Sequence, residues 1–161
     1  MTTKAAFTTD EWDLVRSGPP AAGMLVIAAS HGGMIRETFE MAKVYADARG
    51  QHGDSELLDE LVAAKPERDH TKARSFDELK ENSLRLLGEI VELLTAKATP
   101  EEVDDYRGFV LTLADRVAKR HKEDGVQVSP AEQQVIDDVR AALGERPAAD
   151  ASEPSRTPRR R

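Results

Sequence analysis

The chain has no cysteine in its 161 residues. Disulfide staples, thiolate zinc sites and cysteine nucleophiles are therefore excluded. Aromatics are scarce, with one Trp, two Tyr and four Phe. That is too few for a platform on which the bases of a single strand could stack. Long apolar runs are missing as well. The longest runs from Ala21 to Ala29, about half the ~20 residues that cross a bilayer as a helix. The opening MTTKAAFTTDEWD has no apolar core of the signal-peptide kind. No second strand candidate exists to pair with any first one. These absences lead us to expect a cytoplasmic protein without membrane contact, nucleic-acid partner or cofactor.

Acidic charge is abundant. The formal net charge is −7. Residues 145–161 carry five Arg against three acids, a net +2, which leaves −9 on the remainder. An acidic body stays soluble and repels nucleic acid. The terminal Arg159, Arg160 and Arg161 form only a small basic patch.

Helix start signals punctuate the rest. Thr99-Pro100-Glu101-Glu102 and Ser129-Pro130-Ala131-Glu132 read as a cap, a Pro at the first helical position and a Glu that reaches back to the cap. Ser75-Phe76-Asp77-Glu78 is a third box. Thr9 or Asp10 is expected to cap a short helix docked by Trp12, and Asp54 or Ser55 to cap the segment with Leu57, Leu58, Leu61 and Val62. Ser17-Gly18-Pro19-Pro20 is read as a break. After it, Ala21 to Ala29 has no polar face, which marks a helix buried on all sides at the centre of a bundle. Gly23 there suits a close helix approach.

In Met34 to Arg49, the residues Ile35, Phe39, Ala42 and Ala46 share one face, flanked by Met41 and Tyr45. Leu79 to Leu94 keeps a continuous stripe, as do Val103, Tyr106, Phe109, Val110, Leu113 and Val117. Gly108 costs up to ~1 kcal/mol in a helix interior, which suggests close packing. The last helix is expected to bury Ala131, Val135, Ile136, Val139 and Leu143, with Gly144 as its stop. Lys65 to Arg74 is a polar connection. The architecture expected is all-α: a single-domain bundle of about six or seven helices over residues 9–144. Residues 1–8 are expected to fray. Residues 145–161 lack any apolar side chain larger than Ala and are expected to be a disordered, Arg-ended tail.

Candidates for chemistry are few. Ser30-His31-Gly32-Gly33, leading into a helix with Arg36, could hold an anion at free helix N–H groups. The spacing of a phosphate loop and its Lys-Ser/Thr pair are absent, and a plain helix–helix turn needs the same glycines. No two of His31, His52, His70 and His121 have metal-ligand spacing on one helix. If Gly125 is set at the invariant glycine of a calcium loop, the ligand positions fall on Arg120, Lys122 and Ala131, which excludes an EF-hand. Adjacent acids such as Asp104-Asp105 and Asp137-Asp138 point apart on a helix, so they read as solvated faces.

The run VAKRHKEDGVQVSPAEQQVIDDVRAAL resembles the tellurite-resistance (TerB-like) helical domains. There too, a helix ends at Asp-Gly and a Ser-x-x-Glu box starts the next. The likeness spans about a quarter of the chain. It implies divalent-metal binding through acids, which here would be Asp124 and Glu132. The basic run Lys119-Arg120-His121-Lys122 departs from such a site. Trp12 to Ala29, together with the helix from Phe76, resembles uncharacterised all-helical bacterial proteins. The reading that combines these points is a non-enzymatic helical domain acting through protein contacts, with a stress response as its expected setting. The alternatives are a metal-binding TerB-like domain and an anion binder or enzyme built on Ser30 to Gly33.

Overall fold

The computed structural model describes residues 2–30, 34–51, 55–64, 74–123 and 128–144. Within these residues there are six α-helices and no strand: α1 (Thr9–Ala29), α2 (Met34–Gly50), α3 (Glu56–Ala63), α4 (Phe76–Lys97), α5 (Pro100–Glu123) and α6 (Pro130–Ala142). The all-α class and the six-helix count agree with the pattern of caps and stripes. None of the helices is long and apolar enough to cross a membrane. Residues 145–161, where a disordered tail was expected, lie outside the described residues, as does most of the Lys65 to Arg74 connection.

Local chemistry starts the helices as anticipated. At α5, the Glu102 amide donates to Thr99 Oγ1 (3.3 Å), and the Thr99 amide donates to Glu102 Oε2 (3.0 Å). Ser129 and Glu132 form the same reciprocal pair at α6, at 3.2 and 2.7 Å. Ser75 accepts from the Glu78 amide (3.1 Å), but the Glu78 carboxylate reaches the Arg74 amide instead of closing the box. Ser55 caps α3. The α1 cap is Thr8, one residue before the two expected, in a closed box with Glu11. Gly144 takes φ +77°, the left-handed conformation that ends helices at low cost for glycine.

α1 is the central helix, packed against α5, α4, α6 and α2. It also supplies the main correction. Ser17-Gly18-Pro19-Pro20 does not break the chain, because Pro19 and Pro20 lie inside one helix of 21 residues. A proline inside a helix removes the amide that would bond the carbonyl four residues back. For Pro19 that carbonyl belongs to Val15. The Tyr106 hydroxyl on α5 donates to it at 2.8 Å, so the buried acceptor is satisfied from another helix. Gly18 makes this possible, since a Cβ there would overlap the Tyr106 hydroxyl. Gly23 performs the expected role: a Cβ there would overlap the Met41 sulfur and lie 3.0 Å from Leu113 Cδ2.

Three further expectations are corrected. α2 turns Met41, Val44 and Tyr45 inward, while Phe39 is 68% exposed and Ala42 and Ala46 face outward. The larger apolar set fixes the rotation, and Glu40 follows it inward to meet Arg116. On α6, Ala131 is exposed and Glu132 is buried in its place, drawn in as the capping carboxylate. Gly108 is exposed, and a Cβ there would meet nothing within 4 Å, so close packing does not explain it.

The N-terminus is tied down rather than frayed. Thr2 and Phe7 are buried, and Lys4–Ala6 form a turn of 3-10 helix. The Thr2 amide donates to Glu102 Oε1 at 2.6 Å, and the Lys4 amide donates to Glu60. Lys97 Nζ bonds the Ala6 carbonyl and Glu11 and lies over the Phe7 ring, which packs on Trp12. Sequence pattern alone cannot show this, because Glu60, Lys97 and Glu102 lie 56 or more residues from the groups they hold. Burial works against the Glu102 carboxylate, but hydrogen bonds from Thr2 and Thr99 outweigh it and hold its pKa below the ordinary value.

Candidate functional site

Ser30 sits at the C-terminal end of α1. Its hydroxyl donates to the Ile27 carbonyl at 2.8 Å, and its amide bonds Val26 and Ile27. Both groups thus serve to close α1. Gly32, Gly33 and the surroundings of the Arg36 side chain lie outside the described residues. Asp124 lies outside them too. Glu132, its expected companion, is 2% exposed and directs Oε2 to the Ser129 amide. This capping carboxylate belongs to the start of α6. Among the described residues no group of three or more His, Asp or Glu side chains could hold a metal ion.

The feature that does converge was not anticipated. α2, α3 and α5 enclose a solvent-open cleft of about 320 Å³. Its floor is apolar: Val44 and Ala48 come from α2, Leu58 and Val62 from α3, and Phe109 from α5. Around them stand Asp47, Asp59, Asp105 and Arg116, with Gln51, Ser55 and Thr112. One part was legible in principle. Asp105, Phe109, Thr112 and Arg116 recur at i, i+4, i+7 and i+11, which sets them on one face of α5. The α2 and α3 contributions come from other stretches of chain, and only packing brings them together.

Arg116 organises the α5 side. Its Nη2 and Nε lie 2.7 and 3.1 Å from Glu40 Oε1, and its Nη1 lies 2.6 Å from Asp47 Oδ2. Glu40 is only 8% exposed, so this forked contact supplies the charge partner that a buried carboxylate requires. The hydrogen bond to Asp47 raises the Arg116 pKa most. Burial opposes it, and the Glu40 contact adds to the rise. The clamp joins α2 to α5 beside the cleft. Under the floor, Phe109 meets Tyr45 edge-on at 5.3 Å, a favourable aromatic geometry.

The chemistry of the lining bears on what it could recognise. The lining has three carboxylates and one guanidinium but neither His nor Lys. The Ser55 hydroxyl is buried and accepts from the Leu58 amide. An apolar floor with a mostly acidic rim instead matches a segment bearing apolar and cationic side chains.

No protein-family model matches the chain, and neither does any curated protein or solved structure.

Proposed function

We propose that this protein is a non-enzymatic helical domain of the cytoplasm that acts through protein contacts, with the α2–α3–α5 cleft as its contact surface. The observation that carries this reading is the cleft itself: about 320 Å³, apolar below and acid-rich above. Its lining has three Asp to one Arg, so a partner is recognised by positive charge as well as shape. A place in a stress response is the physiological setting that the TerB-like resemblance favours.

The test uses the intact protein and its Asp59→Arg/Asp105→Arg variant as baits. A partner held by the wild type and lost from the reversed cleft is the expected result. Equal retention by both would move the contact surface elsewhere. Thermal melts with divalent cations and with inorganic phosphate complete the test, since any ligand that binds only the folded state must raise its stability. A flat response is expected. A shift with a cation would favour the metal reading at Asp124 and Glu132. A shift with phosphate would favour the anion reading at Ser30, Gly32, Gly33 and Arg36.

A further inference from the structure

We propose that residues 2–8 form a latch on α3, fixing its roll and so how far Leu58 stands into the α2–α3–α5 cleft. The inference rests on the cleft being the contact surface and concerns its regulation.

The segment is fixed at both ends to the body of the bundle. At one end the Thr2 amide donates to Glu102 Oε1 at 2.6 Å, at the start of α5. At the other end Phe7 packs on Trp12 of α1, with ring centroids 5.7 Å apart. Lys97, the last residue of α4, donates from Nζ to the Ala6 carbonyl at 3.2 Å. Thr2 and Phe7 are both buried. Between these anchors the Lys4 amide donates to Glu60, a residue of α3. α1, α4 and α5 are thus tied to α3 through a stretch of chain that belongs to none of them.

Glu60 is placed to act on the cleft. Leu58 and Val62 line it from α3. At about 100° per residue, Glu60 stands about 160° around the helix from both of them. The latch therefore grips the side of α3 turned away from the cleft. Relative magnitudes decide what this grip can do. Leu57, Leu61 and Val62 are buried, and three such side chains outweigh one hydrogen bond. α3 stays docked without the latch, so what the Glu60 contact fixes is rotation about the apolar contacts. Rolling α3 carries Leu58 into or out of the cleft floor.

α3 depends on such ties. It is eight residues long, below the ~12–15 residues at which an isolated helix is marginal. Packing and side-chain contacts therefore set its orientation. Arg49 on α2 donates to the Val62 and Ala64 carbonyls at its C-terminal end. Those backbone acceptors lie close to the helix axis, where they offer little leverage on roll. The Glu60 carboxylate reaches out from the helix surface and has the longer lever. The coupling is reciprocal: a partner that holds Leu58 and Val62 in one orientation must tighten the latch, and a loosened latch must weaken that partner's hold.

The test uses the full chain, which has no cysteine of its own. Ala63→Cys on α3 and Lys119→Cys on α5, both exposed positions, carry nitroxides, and pulsed electron spin resonance reads the distance between them. A single narrow distribution is expected in the parent. Losing one hydrogen bond to a charged group shifts a local equilibrium roughly tenfold, so Glu60→Ala should populate a second distance. Phe7→Ala, which frees the other end while leaving Glu60, should populate the same one. The double variant should add nothing further, because both changes cut one strap. An unchanged distribution in Glu60→Ala would overturn the proposal. So would an equal change between labels at Glu89→Cys on α4 and Lys119→Cys, since the whole bundle would then have loosened. The Asp59→Arg/Asp105→Arg bait keeps Glu60 and residues 2–8, so the two levels of inference separate. A partner lost from that bait, with distances unmoved by Glu60→Ala, overturns the latch and leaves the contact surface. Equal retention by both baits removes the contact reading, and the regulation with it, whatever the distances show.

Discussion

Two regions on different faces of α5 handle polar groups in opposite ways. At the proline step of α1, Val15, Gly18, Pro19 and Tyr106 are all buried, and the freed carbonyl has a partner 91 residues away in sequence. Nothing there is available to a ligand. In the α2–α3–α5 cleft, Asp47 and Asp105 are exposed and the apolar floor is only partly covered. A satisfied buried network makes one structure unique, whereas charge beside uncovered apolar surface recognises something else. On the reading proposed above, stability lies at the proline step of α1 and contact in the cleft, a division that substitution can break.

The largest effect is expected at Gly18. Gly18→Ala puts a Cβ into the Tyr106 hydroxyl and 2.9 Å from Ile90 Cδ1. Overpacking of this kind should cost about 3 kcal/mol, read as a lower denaturant midpoint with an unchanged slope. Tyr106→Phe comes next. It leaves the Val15 carbonyl buried without its donor, which should cost about 2 kcal/mol. The two changes should not add. Removing the hydroxyl makes room for the new methyl, so the double variant should be more stable than the sum predicts. Strict additivity would mean that Gly18 is not there to admit Tyr106.

Tyr45 sharpens the comparison within the core. It is 2% exposed, and its hydroxyl has no hydrogen-bond partner among the described residues. Tyr45→Phe should therefore leave stability unchanged or raise it by up to about 1 kcal/mol, since it removes a buried hydroxyl without a partner, unlike the same change at Tyr106. Alkaline pH gives a second reading. Burial raises the pKa of both tyrosines. The folded protein then keeps protons that the unfolded chain releases near its ordinary value of about 10. Stability conferred by these groups is complete below pH ~10 and is lost as pH rises beyond it. Above pH ~10 the decline should be shallower in Tyr45→Phe than in the wild type. An equal slope would show that Tyr45 titrates alike in both states.

Local signals in the sequence located helix starts well and helix relations poorly. The boxes at Thr99 and Ser129 were readable because cap and acid lie three residues apart. The stripe of α5 was readable because one large apolar face dominates it. The Pro19-Pro20 pair misled because local rules predict a break, and the group that permits continuity is Tyr106, far along the chain. Phe39 misled because α2 carries two apolar stripes. The set with Met41, Val44 and Tyr45 is the larger and faces the core, taking Glu40 inward to Arg116. The cleft was hidden for the same reason, since Asp47, Asp59 and Asp105 come from three helices and no spacing connects them. Asp124, Gly32 and Gly33 lie outside the described residues.

The smallest change in stability belongs to the cleft, and it bears most directly on function. Asp105 is exposed and sits on the rim, where a neutral isostere seldom alters stability by more than about 0.5 kcal/mol. Asp105→Asn should therefore melt like the wild type yet bind a cationic peptide more weakly, with the deficit shrinking as salt is added. Gly18→Ala should do the reverse, losing stability while its remaining folded fraction binds normally. A crossed result would decide against the division of labour. If Asp105→Asn melted several degrees lower, the rim acid would be part of the framework. If Gly18→Ala bound poorly while folded, the cleft would depend on the angle at which α1 presents α5. The two variants thus test whether this bundle keeps its fold and its contacts in separate places, with α5 contributing one face to each.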